Sequence, residues 1–403
     1  MEKRDFGETR PREGEKAGIY VHVPFCAKKC PYCDFYSIVG SAFIKDFVRA
    51  VQMEMAMTPS PGLFFDTLYF GGGTPSLIEP GDIGAIIEAA RKKYDFPALA
   101  EITLEANPGT VTEERLRHYR IAGVNRINIG TQSFSSRNLT FLGRIHSPGQ
   151  GKNAIRFARK AGFDNLGLDL IYGLPGQDES MWLEDLTQAV GLEPEHISCY
   201  MLTFEPGTPM DLNRRKGDFT PCPDDRMAGL FETTVDFLSA GGYFHYETSN
   251  FAKTGVSGKN PGNRNRYQSR HNRKYWSGVS YLGFGPSAHS FLPPVRYWNI
   301  KSVTQYLNCI NRGHTPVAEK ETLTREQQMM EAVYLGLRTA DGIDIGKFEQ
   351  KFKADFYTMF QEPLSELVDQ GLLVFSGENV RLLPRGMTLL DAIAGRIFEY
   401  LVF

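Results

Sequence analysis

Three cysteines fall within eight residues, in the run Cys26-Ala27-Lys28-Lys29-Cys30-Pro31-Tyr32-Cys33. The spacing C-x3-C-x2-C gathers three thiolates on one short loop, and thiolates are soft donors suited to iron–sulfur clusters or to zinc. Structural zinc takes four ligands, and no fourth Cys or His follows at conventional spacing. Asp34 is adjacent and His22 precedes the loop, so zinc stays open on residue types alone. Three cysteines on a [4Fe–4S] cube leave one iron with an exchangeable position, whereas a cluster used only for electron transfer takes four protein ligands. The remaining Cys199, Cys222 and Cys309 are scattered singly and read as packed or surface thiols. A reducing compartment disfavours disulfides among them.

Other residues able to bind a ligand stand near predicted strand ends. Gly71-Gly72-Gly73-Thr74-Pro75 follows a strand, and residues without Cβ let the backbone approach a ligand closely. Glu105, Gln132 and Asp169 each stand at or just beyond a further predicted strand end, with Arg144 in the segment after Gln132.

The elements that must position these groups alternate regularly. Strands are expected at 18–23, 67–70, 101–106, 126–130, 166–171 and 196–203. Helices are expected at 44–57, 80–94, 112–122, 148–161 and 179–190. Such alternation implies parallel strands covered by helices. An open sheet would join only the polar ends beside its switch point, whereas a barrel gathers them at one mouth. Six units with this many polar strand ends predict an α/β fold, a partial (β/α)6 TIM-type barrel. From Thr324 onward a helix at 325–337, short helices and strands at 372–375 and 380–383 predict a smaller C-terminal winged-helix-like α+β domain. The expected organisation is a flexible arm over 1–17, the barrel core over 18–205, a barrel extension with a long loop over 206–320, and the C-terminal domain over 321–403.

Composition excludes several classes. The chain of 403 residues is 41% hydrophobic and 23% charged with a formal net charge of -2, which gives no general attraction to nucleic acid or anionic lipid. No run approaches the roughly 20 apolar residues needed to cross a bilayer. The first sixteen residues are highly charged and lack the apolar core of a secretory signal, so the expected location is the cytoplasm. The basic stretch 253–273 reads as a surface loop. The winged helix is expected to pack rather than bind DNA, because its groove-entering helix carries Glu362, Glu366 and Asp369.

The pattern Tyr20-x-His-x-Pro-Phe-Cys26-x3-Cys30-x-Tyr32-Cys33 resembles the radical S-adenosylmethionine superfamily, and in particular its coproporphyrinogen-dehydrogenase (HemN-like) branch. The resemblance runs from about Gly18 to the C-terminus. It implies a [4Fe–4S] cluster on Cys26, Cys30 and Cys33, whose open iron binds the amino and carboxylate groups of S-adenosylmethionine. It places Gly72, Gly73 and Thr74 at the methionine amino group and Glu105 at polar groups of the sulfonium ligand. Gln132, Arg144 and Asp169 match the family at Thr-Gln-Ser-Phe, Leu-Gly-Arg-Ile-His and Asp-Leu-Ile-Tyr-Gly-Leu-Pro. An Arg can pair with the methionine carboxylate and an Asp can accept from ribose hydroxyls. Tyr32 would pack against adenine and Tyr20 would lie under the methionine end.

Within the branch, porphyrinogen dehydrogenases carry a further Cys two residues after the third; here that position is Phe35. Cys33-Asp-Phe35 matches the HemW group, described as haem chaperones, as does the H-N-x-x-Y-W signature at His271-Asn272-Arg273-Lys274-Tyr275-Trp276. The resemblance therefore implies haem as a further cofactor, with His271 as candidate ligand and Asn272, Tyr275 and Trp276 nearby. The loop before His271 is longer than usual in the family, residues 260–265 being the excess. The implied partners are haem and an acceptor protein such as a respiratory haem enzyme, with a homodimer as one assembly and membrane association only through a partner. The alternatives are oxygen-independent dehydrogenation of coproporphyrinogen III and a radical methyltransferase.

Overall fold

The computed structural model describes residues 16–255 and 265–401. Strand β1 (Lys16–Val23) starts inside the stretch expected to be a free arm; the rest of that arm, 1–15, lies outside the described residues. A short parallel pair follows, β2 (Phe25–Cys26) and β3 (Ile38–Val39), and then α1 (Ile44–Met57). The alternation continues with β4 (Phe64–Gly72), α2 (Pro80–Lys93), β5 (Glu101–Ala106), α3 (Glu113–Ile121) and β6 (Arg126–Gln132). It ends with α4 (Ser136–Phe141), α5 (Pro148–Lys160), β7 (Leu166–Tyr172), α6 (Glu179–Gly191) and β8 (His196–Met201). Local chemistry sets these boundaries. Ser147 and Gln150 form a capping box at the start of α5, with Pro148 in its first turn, and Asp178 caps α6 through the Met181 amide.

Strands β1, β4, β5, β6, β7 and β8 are neighbours in that order and all parallel, which is the expected six-unit partial barrel. Their side chains alternate between two faces. Ile19, Val21, Leu68, Phe70, Ile102, Leu104, Ile127, Leu168 and Ile197 join a core that also holds Phe47, Ile86 and Trp182 from the covering helices. The other face is polar, with Tyr20, Tyr69, Glu105, Asn128, Asp169 and Ser198 in adjacent registers. Asp169 is the fourth of seven residues in β7 and not at its end as expected, so it lies deeper than Gln132.

Beyond Phe204, where the sequence reads as irregular, the sheet continues at both edges. After α7 (Pro209–Lys216) and α8 (Asp224–Ala240), β9 (Tyr243–Glu247) and β10 (Asn250–Lys253) form a hairpin, whose β10 pairs antiparallel with β8. The expected long loop 253–273 is partly a helix, α9 (Arg270–Trp276), capped by Ser269; of the expected excess, 260–264 lies outside the described residues. Strand β11 (Tyr281–Phe284) then lies parallel to β1 on its free side. β12 (His289–Leu292), β13 (Val295–Asn299) and, after α10 (Val303–Asn311), β14 (Val317–Thr322) extend that edge. The result is one sheet of twelve strands that does not close among the described residues.

The C-terminal unit is built from α11 (Arg325–Leu337), β15 (Ile343–Asp344), α12 (Ile345–Phe352), α13 (Phe356–Asp369), β16 (Leu373–Ser376), β17 (Asn379–Leu382), α14 (Pro384–Met387) and α15 (Leu390–Phe398). Its three-stranded antiparallel sheet, ordered β15-β17-β16, has the expected winged-helix-like mix of helix and strand. Helix α13 turns Phe356, Phe360, Leu364 and Leu367 inward and pairs Glu366 with Arg396 of α15. Val333, Phe348 and Leu367 belong to the same apolar core as the barrel strands.

Candidate functional site at the barrel mouth

Cys26 ends β2 and is buried, while Cys30 and Cys33 are half-buried on the loop beyond. The loop is held by backbone bonds from Cys33 N to Cys30 O (3.2 Å), Gly40 N to Cys26 O (3.1 Å) and Ile38 N to Pro24 O (2.8 Å). His22 fastens its far end: Nε2 lies 2.8 Å from the Tyr36 carbonyl and Nδ1 lies 3.2 Å from the Tyr20 hydroxyl. Donors facing the sulfurs include Thr74 Oγ1, 3.6 Å from Cys26 Sγ, and Arg144 Nη1, 3.5 Å from Cys30 Sγ. Donors aimed at sulfur stabilise thiolates and tune a cluster. Among the described residues no three His, Cys, Asp or Glu side chains are arranged around one metal ion, and His22 is engaged elsewhere.

The glycine run passes directly over this loop. Gly73 N bonds the Val23 carbonyl (2.8 Å) and Thr74 N the Phe25 carbonyl (2.7 Å). A Cβ on Gly73 would stand 2.6 Å from the Phe25 carbonyl oxygen, and Gly72 has φ +106°, so neither position tolerates a side chain without movement. Glu105 accepts from the Tyr69 hydroxyl (2.8 Å). Burial, reinforced by the negative charge of Asp169, pushes the Glu105 carboxyl up to about 7. Burial also raises Asp169, whose Oδ2 accepts from Asn128 Nδ2 (2.6 Å).

Buried polar atoms are almost always paired, so unpaired ones mark a place for a partner. Gln132 Oε1, Arg144 Nε and Asp169 Oδ1 are buried without a hydrogen bond. The structure places Gln132 at the end of β6, Asp169 within β7 and Arg144 in the turn after α4. Arg144 spans the site, donating to the Gly130 carbonyl (2.8 Å) as well as facing Cys30. An acid at Glu105, a guanidinium at Arg144 and acceptors at Gln132 and Asp169 fit an amino-acid zwitterion joined to a ribose. Tyr32 packs beside Leu142, Ile171 and Leu174, where burial raises its phenol. Tyr20 lies deeper, its ring 6.2 Å from Tyr69.

His271 is not at this mouth. Helix α9 sits against the early residues of the barrel strands. Glu101 accepts from the amides of Arg270 (3.3 Å) and His271 (3.1 Å), and Asp66 pairs with Arg270 (2.7 Å) and Lys274 (2.6 Å). The imidazole is buried among Tyr69, Tyr20 and Tyr275. Its Nδ1 is 2.8 Å from Thr67 Oγ1 and its Nε2 is 2.9 Å from the Tyr275 hydroxyl. Burial, with nearby Lys274, pushes it down to about 3, so it is neutral at physiological pH.

Several supporting residues escaped the sequence reading. Asp185 of α6 accepts from Ser133 Oγ (2.6 Å) and the Phe134 amide (2.7 Å), securing the turn after Gln132, which has φ +66°. Its signal was present: an acid at helical spacing on the stripe of Trp182, Leu186 and Ala189. Tyr69, Asp66 and Glu101 carried no such mark, because a strand residue gives its partners away only through register.

Residues 20–189 match the Radical SAM superfamily, and residues 323–389 match the HemN C-terminal domain. A protein of Lactococcus lactis named heme chaperone HemW is 32% identical over 92% of this chain and 94% of its own length. The protein of that name from Bacillus subtilis is 32% identical over 93% and 97%, and that from Escherichia coli is 40% identical over 67% and 69%. The solved structure of coproporphyrinogen III oxidase (HemN) from Escherichia coli, a radical SAM enzyme, aligns with a TM-score of 0.81 at 23% identity, covering 98% of this chain and 94% of that one, which establishes the shared fold. The thiol loop, the glycine turn beside it and the kinship across nearly the whole length lead to one assignment: the chain belongs to the HemW family of the radical SAM superfamily.

Proposed function

We propose that the chain is a cytoplasmic haem carrier that binds a [4Fe–4S] cluster with S-adenosylmethionine and delivers haem to an acceptor protein. The observation that carries this reading is the similarity to heme chaperones over more than nine-tenths of the chain. Position 35 supports it: Phe35 is 67% exposed beside the thiol loop and offers no sulfur where the porphyrinogen dehydrogenases of the branch have one.

Cys26, Cys30 and Cys33 would hold the cluster, with Thr74 and Arg144 facing two of the sulfurs. The turn at Gly72, Gly73 and Thr74 would receive the methionine amino group beside Glu105. Arg144 would take the carboxylate, Asp169 the ribose hydroxyls and Gln132 a further polar group, while Tyr32 would flank adenine and Tyr20 would close the space below. When bound, the pair supplies one-electron cleavage of a carbon–sulfur bond. In this reading it governs haem transfer or dimer state rather than steady turnover.

Haem would associate with the α9 segment carrying His271, Asn272, Tyr275 and Trp276. Both nitrogens of seated His271 are engaged, so iron ligation by this residue requires α9 to shift and break its bonds to Thr67 and Tyr275. Anaerobic reconstitution followed by haem titration, with and without S-adenosylmethionine, tests the reading. Near one-to-one binding without steady protoporphyrinogen IX formation from coproporphyrinogen III is expected. Steady product would overturn the carrier assignment, and unchanged haem affinity in His271→Ala would remove that ligand.

A further inference from the structure

Helix α9 has two faces. His271, Lys274 and Tyr275 reach into the barrel, whereas Arg273 and Trp276 line a cavity of about 810 Å³ shared with the segment 277–280, β12, α11 and α12. The volume is within the range of small-molecule sites.

The walls combine a flat aromatic with apolar surface and charged edges. Phe291, Leu335 and Phe348 line the cavity together with Trp276. Arg338, which is not part of the lining, lies 4.4 Å from the indole centroid and pairs with Glu247, so one face of the ring is already covered by a fixed cation. The indole Nε1 is buried with no hydrogen-bond partner, a donor left unpaired beside the cavity at a cost that a bound acceptor would remove. Arg273 and Lys347 also line the cavity, held by the exposed or half-exposed pairs Arg273–Asp341 (2.9 Å) and Lys347–Asp344 (2.8 Å) and, for Arg273, by Gln268 Oε1 (2.6 Å). Asp341 and Asp344 line it too, with Glu247 and Glu331, so a bound carboxylate must take the place of the paired acids. Such pairs are weak and can be exchanged for ligand carboxylates. Among the described lining residues there is no His, Cys or Met to coordinate iron.

The geometry points to this cavity as the seat of a tetrapyrrole ring, recognised by stacking near Trp276 and by its carboxylates rather than through its metal. This rests on the haem-carrier reading and makes a distinct demand: ring recognition precedes iron ligation and needs no iron. The full chain, with its cluster reconstituted, is titrated separately with haemin and with iron-free protoporphyrin IX. Similar affinities for the two are expected. Trp276→Leu, and Ala332→Trp, which fills the cavity from α11, are each expected to weaken both at least tenfold in protein that circular dichroism shows to be folded at the titration temperature. Two different substitutions keep the test decisive if one of them misfolds. Haemin binding with no binding of protoporphyrin IX, or haemin affinity unchanged in both folded variants, overturns the cavity assignment alone. Failure of haemin to bind the unaltered chain overturns the carrier reading and, with it, the assignment.

Discussion

At the scale of single residues, Glu105 has the sharpest consequence. Its carboxyl titrates near 7 because it is buried and faces Asp169, while Tyr69 and the Gly72 amide favour the ionised form. In the proposed complex the ligand's amino N–H donates to Glu105, and an ionised carboxylate is the stronger acceptor, so S-adenosylmethionine affinity should rise with pH through about 7 and level off above. Between pH 8 and pH 6 the expected loss is about tenfold, since one unit below its pKa an acid is about nine-tenths protonated. Equilibrium dialysis across that range checks it, and Glu105→Gln should bind weakly with a flat profile. In the sequence the thiol loop is marked by its spacing alone, whereas Glu105, Gln132, Arg144 and Asp169 stand out only through predicted strand ends and the resemblance of the motifs around them. The buried unpaired atoms of the last three appear only in three dimensions. Asp185 shares the helical stripe of Trp182, Leu186 and Ala189, which marks it as inward-facing, but nothing in the sequence names its partners Ser133 and Phe134.

At the scale of elements, α9 depends on the side chains that seat it. Burial alone would raise the Asp66 carboxyl, but Lys274 and Arg270 outweigh that and hold it below the ordinary range. A lowered folded pKa means the contribution is fully present at neutral pH and disappears only as acid carries the protein down through that lowered value. Lys274 is itself nearly buried, so Asp66→Asn should cost about 3–5 kcal/mol by leaving its charge unpaired. Asp66→Asn combined with Lys274→Met should recover most of that. Urea titration of the three proteins would decide, and equal losses in the single and double variants would count against the pairing. The sequence hid this helix because it has only seven residues and follows a stretch rich in Gly, Asn and Arg. The Ser269 cap was its one local signal. In contrast, α1 and α11 have the bounds expected from their apolar spacing.

At the scale of the molecule, barrel and C-terminal unit share one apolar core, from Ile19 and Phe70 to Phe348 and Leu367. The segment that follows α11 is tied to the barrel edge by Thr248 N to Arg338 O (3.1 Å), Ala340 N to Tyr246 O (3.0 Å) and the Arg338–Glu247 pair. Scanning calorimetry should therefore show one cooperative transition, and two separated ones would mean the units are stable independently. The six parallel strands were predictable from alternation, but the edge strands were not, being four to six residues long with partners far away in sequence. The pairing of Gly18 with Tyr281 shows the distance involved. As the chain leaves the ribosome, β1 has β4 on one side early, while its other neighbour is not yet synthesised. At roughly 5–20 residues per second that edge waits on the order of ten seconds or more. A holdase that shields unpaired strands during synthesis should therefore raise the yield of soluble protein more than any change made after release.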